Sequence, residues 1–223
     1  FRFRGGKISA QEKKVTGARV SMAEDRTVLD FYAQRWEQYG YDTRSLGIGS
    51  RESQEIRFAI LTQMADLQGA SILDVGCGFG DLKSYLEGKG IAVRYSGLDL
   101  QPAFIEEARR RHPAGEFHCT DIERFEPAAH FDFVFVSGTF NVKFREDQEA
   151  WVFRMLRKMF AVAERGVGIN LLSTYSDPDH YRADMFYCSP ERAFTEAQAI
   201  TRRVTLRHDY LPHDFTLYLY RKG

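Results

Sequence analysis

Net charge is the first thing missing: the 223 residues carry 31 Lys and Arg against 31 Asp and Glu. No overall field draws the chain to nucleic acid or to an anionic membrane, so either contact would need a local patch. Cysteine is scarce. Cys77, Cys119 and Cys188 are odd in number and sit in no CxxC or His-rich spacing, which indicates neither a disulfide framework nor a metal site. Long apolar runs are absent too; stretches such as residues 133–136 are far too short to span a bilayer. The opening FRFRGGKISAQEKK has no apolar segment of the signal-peptide kind. A reducing, cytoplasmic setting without a membrane partner is therefore expected. The six prolines and eighteen glycines are scattered as turn punctuation, and neither linker nor repeat nor low-complexity block is evident. One domain over residues 21–223 is expected, preceded by a basic arm over 1–20 that is set aside from the fold. Nothing in the sequence speaks to an oligomeric state.

What is present is apolar content for a sizeable core: 43% hydrophobic and 14% aromatic residues. Helical spacing runs over 23–38 and 51–68, the second with Ile56, Ile60, Leu61 and Met64 on one stripe and Ser50 as N-cap. From residue 70 short apolar runs alternate with amphipathic segments. Strands fit SILDV, VRYSGLDL, EFHCT, FDFVFVS and GVGINLL; helices fit Asp81 to Glu87, Pro102 to Arg111 and Asp147 to Glu164. That alternation implies a parallel sheet with right-handed crossovers. ITRRVTLRHDY and DFTLYLYRKG are separated only by a Leu-Pro-His turn, too short for a parallel crossover, so the chain should close on an antiparallel hairpin.

The densest signal is LDVGCGFGDL, residues 73–82, where Asp74 precedes Gly76, Gly78 and Gly80 at the end of the first parallel strand. Ligands of open parallel sheets sit at the strands' carboxyl ends, where the strand order reverses. Glycine lets backbone approach a ligand there without a Cβ. A dinucleotide favours GxGxxG with a helix N-terminus on its pyrophosphate. Here the third glycine comes one residue early, and Asp74 with Asp81 would repel pyrophosphate while attracting a cation.

These residues resemble the D/E-x-G-x-G-x-G loop of class I S-adenosylmethionine-dependent methyltransferases, a resemblance that covers roughly residues 50–220. It implies a doubly wound, mostly parallel seven-stranded Rossmann-like α/β sheet ending in an antiparallel hairpin, with S-adenosyl-L-methionine as cofactor. It also implies that Asp74, Gly76, Cys77 and Gly78 form the cofactor loop, and that Asp99 grips the ribose hydroxyls with Leu100 and Gln101 flanking the adenosine. Asp121 and Ile122 then resemble the pair that reads the adenine, and Ser137 and Gly138 the strand exit at the methionine end. The alternative for each alone is a local cap, Asp99 of the helix beginning at Pro102 and Asp121 of a short turn. Arg51, at a helix start near the glycine loop, is a further expected cofactor contact, to the methionine carboxylate.

In this family acceptor contacts come from segments before the first strand and after the fourth and fifth. A helical lid over 23–48 and the segment YSDPDHYRADMFY follow, with Tyr32, Tyr41, Arg44 and His180 as substrate-binding candidates. Methyl transfer needs alignment and exclusion of water more than acid–base chemistry, and the sequence names no catalytic base. SGTFN, residues 137–141, lacks the Asp/Asn-Pro-Pro-aromatic run of enzymes acting on base amines or amides, which disfavours those acceptors. Three functions stay open: methyl transfer to an O or N nucleophile of a small molecule, methyl transfer to protein or RNA, and a binding module without catalysis.

Overall fold

The structure, a computed structural model, describes residues 26–222; the basic arm expected over 1–20 lies outside them. The chain enters through helix α1 (26–39) and a short 3-10 turn (Thr43–Leu46). The Asp42 side chain caps that turn by accepting the Arg44 N–H, and Gly47 ends it at φ 71°. Helix α2 (Arg51–Thr62) is capped by Ser50, which accepts from the Ser53 N–H. It stops six residues short of the expected end. There Asp66 accepts the Gln68 N–H and Gly69 turns the chain at φ 75°, so residues 66–69 form the entry to the sheet.

The strands and helices then alternate as β1 (Ser71–Val75), α3 (Asp81–Gly88), β2 (Arg94–Asp99), α4 (Pro102–Arg111), β3 (Glu116–Cys119), β4 (Phe131–Ser137), α5 (Gln148–Val162) and β5 (Ala163–Ser173). The end comprises β6 (Tyr187–Cys188), α6 (Pro190–Ile200), β7 (Val204–Leu211) and β8 (Asp214–Tyr220). The sheet order is β3-β2-β1-β4-β5-β8-β7, with the two-residue β6 added beside β5. Seven strands thus form the main sheet, as expected, and β6 is an eighth. Pairing is parallel except where β8 meets β5 and β7.

Period-2 alternation splits the core into two layers. Leu73 and Val75 of β1 join Val134 and Val136 of β4 against Val152, Leu156 and Met159 of α5. Ile72 and Phe133 point the other way, into a layer with Leu61 of α2, Leu86 of α3 and Ile105 of α4. Helices therefore cover both faces, and the order reverses between β1 and β4. A carboxyl-end crevice opens at that switch point.

Helix α6 was not expected from the sequence. Ser189 caps it and Pro190 opens it, while its buried side is only Pro190, Ala193 and Ala197, too weak a stripe to stand out. β5 begins at Ala163, three residues before the expected strand, because the last turn assigned to α5 is already extended backbone.

Candidate functional site

Three left-handed glycines shape the loop after β1: Gly76 at φ 72°, Gly78 at 54° and Gly80 at 77°. Any other residue would be strained there. Space is equally tight, since a Cβ on Gly76 would lie 2.1 Å from Thr139 Oγ1 and one on Gly78 would lie 2.7 Å from Leu46 Cδ2. Thr139 closes over the loop by donating its hydroxyl to the Val75 carbonyl at 3.0 Å. The glycines thus serve packing between loop segments as well as ligand access.

Two carboxylates flank this loop, Asp74 buried and Asp99 half-buried. Asp74 is 4% exposed and accepts a hydrogen bond from Tyr95 Oη at 2.5 Å. Burial raises its pKa to about 7, the Tyr95 bond opposes the rise, and the nearby Asp99 and Asp81 add to it. Asp99, at the end of β2, accepts the Gly78 N–H at 3.0 Å on one oxygen and the Gln101 N–H at 2.9 Å on the other. Burial raises its pKa to about 6 against those bonds. Each Asp99 oxygen retains an acceptor lone pair, so the aspartate can both organise the loop and hold a ligand hydroxyl.

One cleft joins these groups to the ends of β3 and β4 and to α1. Of the residues expected from the sequence, Tyr32, Asp74, Gly76, Cys77, Asp99, Leu100, Gln101, Asp121, Ile122, Ser137 and Gly138 line it. Gly78, also expected there, is not among the lining residues. Asp121 also has a local role: it accepts the Arg124 N–H at 2.8 Å and pairs with the Arg124 guanidinium at 2.9 Å. Ser137 Oγ is buried with no partner among the described residues.

Four expected contacts lie outside the lining. Arg44 is exposed and held by Asp42 at 2.9 Å, over the Tyr39 ring. His180 sits beyond β5, exposed and stacked on His213 at 5.5 Å. Tyr41 donates to Asp81 at 2.9 Å at the start of α3, and Arg51 reaches the Tyr41 hydroxyl at 3.4 Å. Both fasten the segment before α2 to the glycine loop. Gln54, which sequence reasoning passed over, completes this junction: it is buried in the cleft lining and donates to Asp81 at 3.3 Å. Its place one turn after the α2 start was the available signal.

Aromatic packing fixes α1 over the crevice. Phe79 of the glycine loop is fully buried and meets Trp36, Tyr41 and Phe104 at centroid distances of 5.5, 5.1 and 4.8 Å. Gln101, beside Asp99, donates to the Leu29 carbonyl of α1 at 3.1 Å. Phe144, in the segment after β4, packs on Phe31 and Tyr32. Among the described residues no group of His, Cys, Asp and Glu is arranged to hold a metal ion, and no helix is long and apolar enough to cross a membrane.

An α/β sheet with this strand order, a glycine loop between the Asp74 and Asp99 carboxylates and a terminal β7–β8 hairpin defines the methyltransferase class. Comparison with known proteins agrees. The family described as "Methyltransferase domain" matches residues 72–165. A putative methyltransferase of Mycobacterium tuberculosis is 33% identical over 160 residues, spanning 69% of this chain and 93% of that protein. The fatty-acid O-methyltransferase of Mycolicibacterium smegmatis is 40% identical over 81 residues, which is 33% of this chain and 30% of that one. In structure, the S-adenosylmethionine-bound magnesium protoporphyrin IX methyltransferase of Synechocystis superposes with TM-score 0.63 at 16% identity, over 89% of this chain and 97% of that one. The chain belongs to the class I S-adenosylmethionine-dependent methyltransferases. It is an enzyme whose cofactor is S-adenosylmethionine.

Proposed function

We propose that this enzyme methylates a small-molecule acceptor enclosed between α1 and the strand ends. The observation that carries the reading is the closed cleft: α1 lies over the glycine loop through the Trp36–Phe79 and Gln101–Leu29 contacts, which leaves a pocket instead of an open groove. A folded protein or RNA duplex would need the open form. The relatives' names, a fatty acid and a porphyrin, support the same acceptor size.

S-Adenosylmethionine supplies a methyl group made electrophilic by its sulfonium. Asp74 and Asp99 fit such a cationic ligand, because carboxylates with raised pKa values are stabilised as anions by a positive partner. In this reading Asp99 holds the ribose hydroxyls, Leu100 and the buried Ile122 sandwich the adenine, Asp121 accepts from its amino group, and Ser137 and Gly138 flank the methionine end. Arg51 and Gln54 lie near that end and set the junction with Asp81. Tyr32 is the remaining expected acceptor contact inside the cleft. The α1 segment and the 3-10 turn exclude water and align the acceptor, which is the protein's main task in a direct displacement.

Turnover of labelled S-adenosylmethionine against fractionated metabolites, protein and RNA tests the reading. Label should enter a small-molecule fraction; label confined to protein or RNA would reject it.

A further inference from the structure

The acceptor end of the cleft has a definite chemistry. Its walls are apolar: Val28 and Leu29 of α1, Leu46 and Ile48 after the 3-10 turn, and Val142 and Phe144 after β4. Among the described lining residues there is neither histidine nor lysine. The described carboxylates of the lining are already committed: Asp74 to Tyr95, Asp99 to backbone N–H groups and, in the reading above, to the ribose hydroxyls, Asp121 to Arg124, and Glu123 to Arg154 at 3.7 Å. Burial pushes the Tyr32 phenol and the Cys77 thiol well above their ordinary pKa values, so neither supplies an anion near neutral pH. No lining group is placed to take a proton from an alcohol, phenol or ammonium acceptor.

One cation is present. Arg145 lines the cleft half-buried, with its guanidinium 4.7 Å from the centre of the Trp151 ring. Its place is fixed by Gln148, which donates to the Phe140 and Val142 carbonyls at 3.2 Å each and accepts the Phe144 N–H at 3.4 Å. Arg145 thus follows directly on the residue that packs against α1. A guanidinium has five donors in a planar fork, which matches a carboxylate and leaves room for further partners.

We infer that the acceptor group is the carboxylate of an apolar acid, oriented by Arg145, and that the product is a methyl ester. The inference rests on the small-molecule methyltransferase reading above. A carboxylate is ionised at neutral pH and needs no base. One of its oxygens forms the new O–CH3 bond as the S–CH3 bond breaks; sulfur keeps the electron pair and loses its charge, and no proton moves. The neutral ester no longer pairs with Arg145, which favours release.

The test uses the full chain saturated with S-adenosylhomocysteine, whose binding is first measured by calorimetry. Hexanoate, decanoate, tetradecanoate and cinnamate are then titrated beside their methyl esters, alcohols and amines, with quenching of tryptophan fluorescence as readout and labelled turnover in parallel. At least one acid should bind about tenfold more tightly than its alcohol, the scale of one charge-assisted contact, and should yield its methyl ester. Arg145→Gln should erase that preference while ester affinity and S-adenosylhomocysteine affinity hold; Arg145→Lys, which keeps the charge without the fork, should retain part of it. Melting curves of both variants separate loss of fold from loss of contact. No acid preferred over its alcohol, methylation of alcohols or amines instead of acids, or an unchanged preference in folded Arg145→Gln would overturn the inference. Failure to bind S-adenosylhomocysteine at all would instead remove the reading beneath it.

Discussion

Asp74 and Asp99 show how single residues tune this site. Both are acids held partly protonated by burial, at about 7 and about 6. A carboxyl whose folded pKa is raised favours folding most below its unfolded value, and that contribution is lost as pH rises through the folded value. The protein alone should therefore lose stability between about pH 4 and about pH 7, and Asp74→Asn, which keeps an acceptor for Tyr95, should flatten the decline. Thermal melts across that range check this; equal slopes in both proteins would place the dependence elsewhere. Ligand binding should run the other way, because the ligand's ammonium and ribose hydroxyls select ionised carboxylates: S-adenosylhomocysteine affinity should rise with pH through about 6 to 7. At Gly76, φ 72° and a Cβ position 2.1 Å from Thr139 leave no room for a side chain. Gly76→Ala should cost about 1–2 kcal/mol in backbone strain alone and displace Thr139, which a melt and a binding titration would both register.

At the scale of elements, α1 is the part whose role is most exposed to test. It is tied down by ring contacts around Phe79 and Phe144 and by hydrogen bonds with Gln101 and the 3-10 turn, and not by sheet pairing. Trp36→Ala should loosen it for about 1–3 kcal/mol, less than a fully buried tryptophan would lose. Acceptor turnover should fall more than S-adenosylhomocysteine binding does, since Asp99 and the glycine loop stay in place; equal losses would argue that α1 only props up the fold. Elements with strong periodicity were legible in the sequence: β1, β4 and the β7–β8 hairpin lie where alternation and turn residues put them. Helix α6 was not, because its buried side is two alanines and a proline. Arg44 and His180, expected as acceptor contacts, stand outside the cleft lining for a related reason. Sequence places them in the right loops but does not show that Asp42 and His213 engage them at the surface.

The whole molecule is closed by a pair that no local pattern announces. Arg57 of α2 donates to Asp214 of β8 at 2.7 Å, across 157 residues, with Asp214 fully buried. The bond fastens the helix that carries Gln54 to the terminal hairpin. Removing one partner strands a buried charge: Arg57→Met should cost about 3–5 kcal/mol, and the double change Arg57→Met with Asp214→Leu clearly less than the single one. Denaturant unfolding of both checks this; additive losses would mean that the ions do not act as a pair. Such long-range pairing was beyond the sequence because each charge looked like an ordinary helix or turn residue. The parallel pairing and the closing hairpin were legible, since alternation of strand and helix implies right-handed crossovers and a short turn forbids one; the strand order itself comes from the structure.

The central claim is that Asp99 and the glycine loop form the S-adenosylmethionine site. Its most direct test is calorimetric titration of S-adenosylhomocysteine into the wild type and Asp99→Ala side by side, with NAD as a control ligand. The account predicts binding by the wild type, weakening by about 1–3 kcal/mol in the variant, and no binding of NAD. Equal S-adenosylhomocysteine affinity in the two proteins, or NAD binding in its stead, would contradict it.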